Sequence, residues 1–445
     1  MKTIGSETEI IAIETGSEGV ARIAPSKWRA LFAPELIFAI SAAAALSPYL
    51  LWYFGFEAPI LQRLELTYLP VVIWAVGLLS FIIGARIAKR TKRVGVVFKL
   101  AESNLPLTFF LCAGLGLVLV QVYFAVRDVY GVVPLLDYMS TNGRMDVGVA
   151  NDEQQYSGFG QLGLVTATLY VLNPLLLLVI LQWMTRRRGS RLLILAGLAV
   201  VAFAHLLNAK RQGIYSTLFY LVACTSIYSG NPVRAVSAFL GARSRFLART
   251  CLAVLASVLV VAFGYIASIR TRGRVDANMD EIVAYLQYPL VNFEKQCMVA
   301  GLGPGEFKPF GPLRNLAPYK YTELADAFTL TTPRLMLSSP SGMYEYIHWC
   351  WGIGGVIGYS IMLGFVSRWL YDRALESLPC LVSYGFVAVA LAMAHSNNQV
   401  LILSYVPVPL CFVSFLNLFV STESFRRSDI PPAAFATGCS STHRV

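Results

Sequence analysis

Cationic side chains follow several of the long apolar runs in this 445-residue chain. Lys210 and Arg211 stand together between two apolar runs, and Arg270, Arg272 and Arg274 follow a third. Arginine suits phosphate because its planar guanidinium group donates two parallel hydrogen bonds and keeps its charge. These positions therefore predict a binding site for a phosphorylated substrate.

A second polar group precedes the apolar run that begins at Trp351, and it contains Arg334, Tyr344, Glu345 and His348. Glutamate and histidine are side chains that often transfer protons in catalysis. An aromatic ring offers a flat face on which a sugar can stack. Together with the cations, which would stabilise a departing diphosphate without a metal, these residues predict a lipid-linked diphosphate that carries sugar as the substrate.

Most of these residues also have a purely structural interpretation. The arginines from Arg270 to Arg274 are equally suited to anchoring a helix end at lipid phosphates. His348 lies between aromatic residues in a pattern that is typical of a membrane interface. His205 and His395 are more typical of side chains that satisfy local hydrogen bonds than of catalysts.

The composition places these side chains in a membrane protein. Hydrophobic residues make up 56% of the chain and charged residues only 14%, against about 45–50% and about 25% in a soluble domain. The apolar residues form long runs, and about 20 such residues are enough for a helix to cross a hydrocarbon core about 30 Å thick. We therefore predict an all-α polytopic membrane protein with about ten transmembrane helices.

The apolar runs define ten predicted spans, which divide the chain into five parts. The spans are Ala30 to Phe54, Tyr68 to Ile87, Leu105 to Ala125, Gly160 to Met184, Leu192 to Leu207, Ile214 to Tyr228, Leu252 to Ser268, Trp351 to Leu370, Leu381 to Ala394 and Val400 to Val420. The parts are a tail at 1–29, spans one to seven in 30–268, a large loop at 269–349, spans eight to ten in 350–420, and a tail at 421–445. A second large loop, 127–159, lies within 30–268, and both loops, which fall on the side opposite the two tails, are longer than a simple connection requires.

The distribution of positive charge predicts the orientation. When the amino terminus is placed inside, most of the 36 Lys and Arg residues fall in the inner segments, and many of the others lie in the loop 269–349. Short inner loops carry an excess of Lys and Arg, whereas long loops cross regardless of charge. We therefore expect both termini in the cytoplasm. The formal charge of +11 then reflects contacts with membrane lipids, and no nucleic-acid partner is expected.

Motifs for nucleotide or metal chemistry are absent from the sequence. It contains no GxxxxGK[ST], HExxH or GxSxG pattern, and its eight cysteines lack metal-ligand spacing. The predicted span interiors hold almost no ionisable residues, which disfavours ion-coupled transport. We expect neither a cofactor nor a metal ion.

Three segments resemble the Wzy-type oligosaccharide repeat-unit polymerases, which are relatives of the O-antigen ligases and of GT-C-like membrane glycosyltransferases. They are HLLNAKRQGIYSTLFYL (His205 to Leu221), SIRTRGR (Ser268 to Arg274) and SSPSGMYEYIHWCWGIGGVIGY (Ser338 to Tyr359). The resemblance implies transfer of a growing glycan from undecaprenyl diphosphate to the non-reducing end of a new lipid-linked repeat. It also implies a location at the periplasmic face of the bacterial inner membrane, and a chain-length regulator protein as a partner.

The same resemblance implies roles for individual residues. The expected substrate-binding residues are Lys210, Arg211, Arg270, Arg272, Arg274, Arg334 and Tyr344. Glu345 and His348 are the candidates for the catalytic general base. Ligases carry a His-Asn pair where this chain has Ser341 and Gly342, which favours a polymerase over a ligase. A lipid-linked oligosaccharide flippase is the third alternative.

Overall fold

The computed structural model describes the greater part of the predicted spans. The described residues are 13–15, 21–23, 27–54, 67–89, 96–100, 105–130, 171–186, 191–207, 211–229, 293–294, 296–298, 300–305, 342–395, 407–418 and 422–426. Within them the chain is mostly helical, as predicted, and it contains two short antiparallel strand pairs.

The helices follow the apolar runs of the sequence. They are α1 (Lys27–Leu31), α2 (Pro34–Tyr53), α3 (Leu69–Lys89), α4 (Leu105–Tyr130), α5 (Asn173–Arg186), α6 (Arg191–Leu207), α7 (Arg211–Ser229), α8 (Glu345–Arg373), α9 (Leu378–Ala392) and α10 (Pro407–Leu416). A further short helical segment lies within 293–300 and is called the loop helix below. The predicted seventh span, Leu252 to Ser268, lies outside the described residues.

Two of the described helices are long and apolar enough to cross a membrane. They comprise Leu69–Lys89 and, within α8, Ile347–Arg373. Large apolar side chains on α3 are exposed at helical spacing, as at Val72, Leu79 and Ile83. A stripe of this kind favours contact with lipid rather than with water. Length, composition and exposure thus favour membrane association of the described part of the chain.

Glycines bring α3 and α8 into close contact. A Cβ atom at Gly84 would overlap the carbonyl group of Ile361, and one at Gly364 would overlap the carbonyl oxygen of Phe81. The backbones can approach this closely only because both positions lack a side chain. Gly354 and Gly358, which have the small-xxx-small spacing, instead face open space.

The packed helices alternate in direction. Helix α2 runs antiparallel to α3, since Tyr49 near its end donates a hydrogen bond to the Thr67 carbonyl just before α3. It also runs antiparallel to α8, since Glu35 near its start pairs with Arg368 near the end of α8. Helices α3 and α8 therefore run parallel. Spans one, two and eight of the predicted order have these same relative directions.

An ionic and hydrogen-bonded cluster holds one end of the bundle. Arg368 lies 3.1 Å from Glu35 and 3.0 Å from Asp372, and its side chain is buried. Tyr371 donates a hydrogen bond to the carbonyl oxygen of Arg29 at 2.8 Å. The Arg29 guanidinium in turn donates to the Ile227 carbonyl at the end of α7, where the helix dipole favours a positive charge.

Two strand pairs involve segments that flank the helices. They are β1 (Ile13–Thr15) with β2 (Ala21–Ile23), and β3 (Val96–Leu100) with β4 (Thr422–Arg426). The second pair aligns Val96 with Arg426 and Leu100 with Thr422. It joins the segment after α3 to the segment after α10, which the sequence analysis places on the same side of the membrane.

Candidate functional site

Backbone and side-chain hydrogen bonds join the start of α8 and the end of α9 to the middle of α2. The Met343 N–H, just before α8, donates to the Ala394 carbonyl just after α9 at 2.9 Å. The His395 N–H donates to the Ser41 hydroxyl of α2 at 2.9 Å. These bonds bring together two of the polar clusters that the sequence places far apart, at 342–348 and at 395.

A buried carboxylate attaches the loop helix to the first two long helices. Glu294 is fully buried. It accepts hydrogen bonds from the Tyr49 hydroxyl, from the Thr67 hydroxyl and from the Thr67 N–H, the last at 2.6 Å. Burial of a carboxylate is costly unless donors replace its water, and these donors supply that replacement. Sequence reasoning missed Glu294, whose only local signal is its position in an amphipathic stretch.

Gln296 links the loop helix to the first turn of α8. Its Nε2 atom lies 2.5 Å from the Glu345 carbonyl oxygen and 3.3 Å from Nδ1 of His348. Gln296 and His348 are both fully buried. The Gly301 backbone lies beside the imidazole, although Nε2 makes no hydrogen bond of regular geometry within the described part of the chain. Sequence reasoning gave no role to Gln296, because its partners are about fifty residues away.

A glycine turn fits into a kink near the start of α8. Gly352 has φ 63° and ψ −160°, a conformation that is essentially restricted to glycine. The Ile353 N–H donates to the Leu302 carbonyl at 3.0 Å, and a Cβ atom at Gly352 would lie 2.9 Å from the Gly303 carbonyl carbon. The turn at 301–305 therefore fixes the direction of the two helical turns that carry Glu345 and His348.

His395 lies beside Ser41 of α2, in a less enclosed position than His348. Its Nδ1 atom is 3.1 Å from the Ala392 carbonyl oxygen and 3.4 Å from the Ser41 hydroxyl. The residue is partly exposed, and its backbone carbonyl lies next to Gly342. Desolvation lowers the pKa of His395, and the hydrogen bond to Ala392 opposes that shift in part.

Glu345, His348 and Tyr344 do not lie in an extended loop before the eighth span. Helix α8 begins at Glu345, five residues before the predicted boundary at 350, because an acidic residue is favourable in a first helical turn and apolar residues follow it. The Tyr344 ring is fully buried, lies 4.8 Å from the Trp74 ring and shares a 2.7 Å hydrogen bond with Ser360. This ring therefore packs between α3 and α8 and leaves no face for a sugar.

Arg211 begins α7, and counting residues along α7 and α9 places its backbone level with His395. The Tyr220 and Phe386 rings pack with centroids 4.7 Å apart, and α7 and α9 run antiparallel, since Cys224 of α7 donates to the Leu381 carbonyl. Arg211 lies nine residues before Tyr220, and His395 lies nine residues after Phe386. At equal rise per residue, both positions reach the same level. The Arg211 side chain is not among the described features.

The other predicted cations lie outside the described residues. They are Lys210, Arg270, Arg272, Arg274 and Arg334. Among the residues that the structure describes, no group of three or more His, Cys, Asp or Glu side chains is placed to hold a metal ion. The buried Cys297 is not suited to act as a nucleophile, since burial and the nearby Glu294 and Glu345 carboxylates raise the pKa of its thiol.

Comparison with known proteins places the chain in no family. No family model matches it, and no curated protein or solved structure is significantly similar to it. The resemblance to Wzy-type polymerases thus depends on the quoted sequence segments alone.

Proposed function

We propose that this chain is a metal-independent membrane glycosyltransferase that polymerises lipid-linked oligosaccharide repeat units. It transfers the growing glycan from undecaprenyl diphosphate to the non-reducing end of a new lipid-linked repeat. The reaction takes place at the periplasmic face of the bacterial inner membrane, in a bundle of about ten spans with both termini in the cytoplasm. A chain-length regulator is the expected protein partner.

One observation carries the proposal. Two histidines and a polar amide from distant parts of the sequence lie close to the start of α8 and the end of α9. They are His348, His395 and Gln296. Counting residues along α7 and α9 places the backbone of a cationic residue, Arg211, level with His395. A polar group of this kind beside lipid-facing helices suits a substrate with a charged diphosphate and neutral sugars.

The cations act on the leaving group. Lys210, Arg211, Arg270 and Arg274 bind the diphosphate and offset the charge that develops as its bond to the sugar breaks. Arg272 and Arg334 are further cations that bind the lipid-linked substrates. No nucleotide is consumed, because the diphosphate-linked donor already contains the bond that drives the transfer.

The proposal is tested by gel analysis of surface glycan from a strain that lacks the chain, with lipid-linked intermediates measured in parallel. Loss of the long glycan ladder, with single repeats still attached to the final acceptor, is the expected result. Polymer that accumulates on its periplasmic carrier would instead assign a ligase. Single repeats held on the cytoplasmic leaflet would assign a flippase.

Two substitutions test the role of the cations. Arg211→Ala and Arg270→Ala should each remove the long ladder while the protein remains at normal abundance in the membrane. Arg86→Ala is the matched control, because Arg86 is an exposed arginine in the last turn of α3, away from the candidate site. A normal ladder from both test variants would refute the diphosphate role.

A further inference from the structure

The hydrogen-bond partners of His348 determine which of its nitrogens carries the proton. The Glu345 carbonyl oxygen can only accept, so the Gln296 atom 2.5 Å from it must be the amide nitrogen. The same amide nitrogen can only donate, so His348 Nδ1 at 3.3 Å must be the acceptor. Neutral His348 therefore carries its proton on Nε2, and its one basic nitrogen is already occupied by Gln296.

The same reasoning gives the opposite tautomer for His395. Its Nδ1 atom faces the Ala392 carbonyl oxygen at 3.1 Å, and a carbonyl oxygen can only accept. The Ser41 hydroxyl, 3.4 Å from Nδ1, accepts from the His395 N–H and donates its own proton to the same Ala392 carbonyl at 3.3 Å. Nδ1 therefore carries the proton, and in the neutral ring the lone pair is on Nε2. The ring is partly exposed, whereas that of His348 is fully buried.

We propose that His395 is the general base of the transferase and that His348 and Gln296 are positioning residues. This inference rests on the proposed function. An orienting hydrogen bond to Nδ1–H with a basic Nε2 is the arrangement in which histidine accepts a proton from a hydroxyl. His348 instead holds the first turn of α8 against the loop helix through Gln296.

The step conserves atoms and charge. The acceptor-sugar hydroxyl oxygen forms a bond to the anomeric carbon of the donor glycan, while the bond from that carbon to the diphosphate oxygen breaks. The electron pair of the broken bond leaves with the diphosphate on its lipid carrier. The hydroxyl proton moves to Nε2 of His395, and the resulting imidazolium later releases it to solvent.

The tautomers are measured by 15N NMR of the full-length chain, labelled at its four histidines and reconstituted in lipid bilayers. His348 is expected as the Nε2–H form and His395 as the Nδ1–H form, with each signal assigned by its loss in the corresponding Asn variant. Gln296→Glu removes the donor to Nδ1, so it should change the His348 signal and leave the His395 signal unchanged. The inference is overturned if Nδ1 of His395 carries no proton, or if the His348 signal does not change in the Gln296→Glu variant.

Two matched variants separate the roles in catalysis. His395→Asn retains a donor for the Ala392 carbonyl but lacks a basic nitrogen, and His348→Asn retains an acceptor for Gln296. We expect His395→Asn to lower the polymerisation rate by about 10²–10⁴-fold. His348→Asn should lower the rate much less than His395→Asn does, because it keeps the link to Gln296. Full activity of His395→Asn refutes the inference, and loss of activity only in Glu345→Gln would assign the base to Glu345 instead.

Failure of the inference is distinguishable from failure of the proposed function. If deletion of the whole chain leaves the long ladder intact, the polymerase proposal fails while the tautomer measurement still stands. If deletion removes the ladder but His395→Asn restores it fully, the polymerase proposal holds and the assignment of His395 fails.

Discussion

Replacement of Gly352 by alanine should destabilise the candidate site without removing any polar group. This residue forms the kink that follows the turns bearing Glu345 and His348, and the 301–305 turn packs directly against it. Alanine adds a single methyl group. Any effect of Gly352→Ala therefore reports on the backbone conformation and on the close approach of the turn.

The expected cost follows from two terms. A non-glycine residue at φ 63° and ψ −160° costs about 1–3 kcal/mol in backbone strain. The added Cβ atom would lie 2.9 Å from both the Gly303 carbonyl carbon and the Pro304 nitrogen, and overpacking of this kind costs about 1–3 kcal/mol. We therefore expect Gly352→Ala to lower the free energy of unfolding by about 2–6 kcal/mol.

Thermal unfolding of the purified chain in detergent, followed by far-ultraviolet circular dichroism, measures this effect. At about 2 °C per kcal/mol for a large domain, the midpoint of Gly352→Ala should fall by about 4–12 °C. Gly354→Ala is the matched control, since Gly354 lies in the same helix and its Cβ would meet open space. Its midpoint should stay the same or rise slightly, because alanine favours a helix over glycine by about 1 kcal/mol. Equal midpoints for the two variants would refute the kink argument.

Three further predictions concern packing, charge and pH. Gly84→Ala should lower the free energy of unfolding by about 1–3 kcal/mol, because its Cβ would overlap the carbonyl of Ile361. Gly116→Ala is the control, since its Cβ would meet open space. The midpoints of thermal unfolding of the two variants measure the difference. Arg368→Met should lower the free energy of unfolding by about 1–3 kcal/mol, because it leaves the Glu35 and Asp372 carboxylates without their cation. In a double-mutant cycle, adding Glu35→Gln should restore part of that free energy. Because the folded-state pKa of His395 is lowered, the unfolded chain binds more protons there, and stability should fall as the pH drops below about 6.5. His395→Asn should remove that part of the pH dependence, and an unchanged dependence would contradict the burial argument.

The helices were predictable because hydropathy is a local property. Each apolar run carries its own signal, so α3 and α7 begin and end within a few residues of the predicted spans. Positive charge at the end of an apolar run is also a local signal, and it indicates where a helix ends. Arg86 and Lys89 end α3, where positive side chains are favourable. The start of α8 differs because Glu345 and the apolar residues after it extend the helix into a segment that polarity alone assigned to the loop.

The partners of buried polar groups were not predictable in this way. Glu294 bonds with Tyr49 and Thr67, which are more than two hundred residues away in sequence, and a single chain carries no local sign of such a pairing. The spacing of Gly354 and Gly358 in the GIGGVIG segment is typical of close helix packing, but both residues face open space. Nor did the segment indicate that Gly352 would meet the 301–305 turn. These contacts depend on how distant elements meet, which periodicity does not encode.

The most direct test of the central claim is reconstitution of the purified full-length chain in liposomes with undecaprenyl diphosphate-linked repeat units as the only glycan source. Products are separated by mass and by attachment to lipid. The account predicts glycans of two or more repeats that remain attached to the lipid carrier, formed without nucleotide or added metal. Substrate that stays as single repeats in this system, while the chain is folded by circular dichroism, would contradict it.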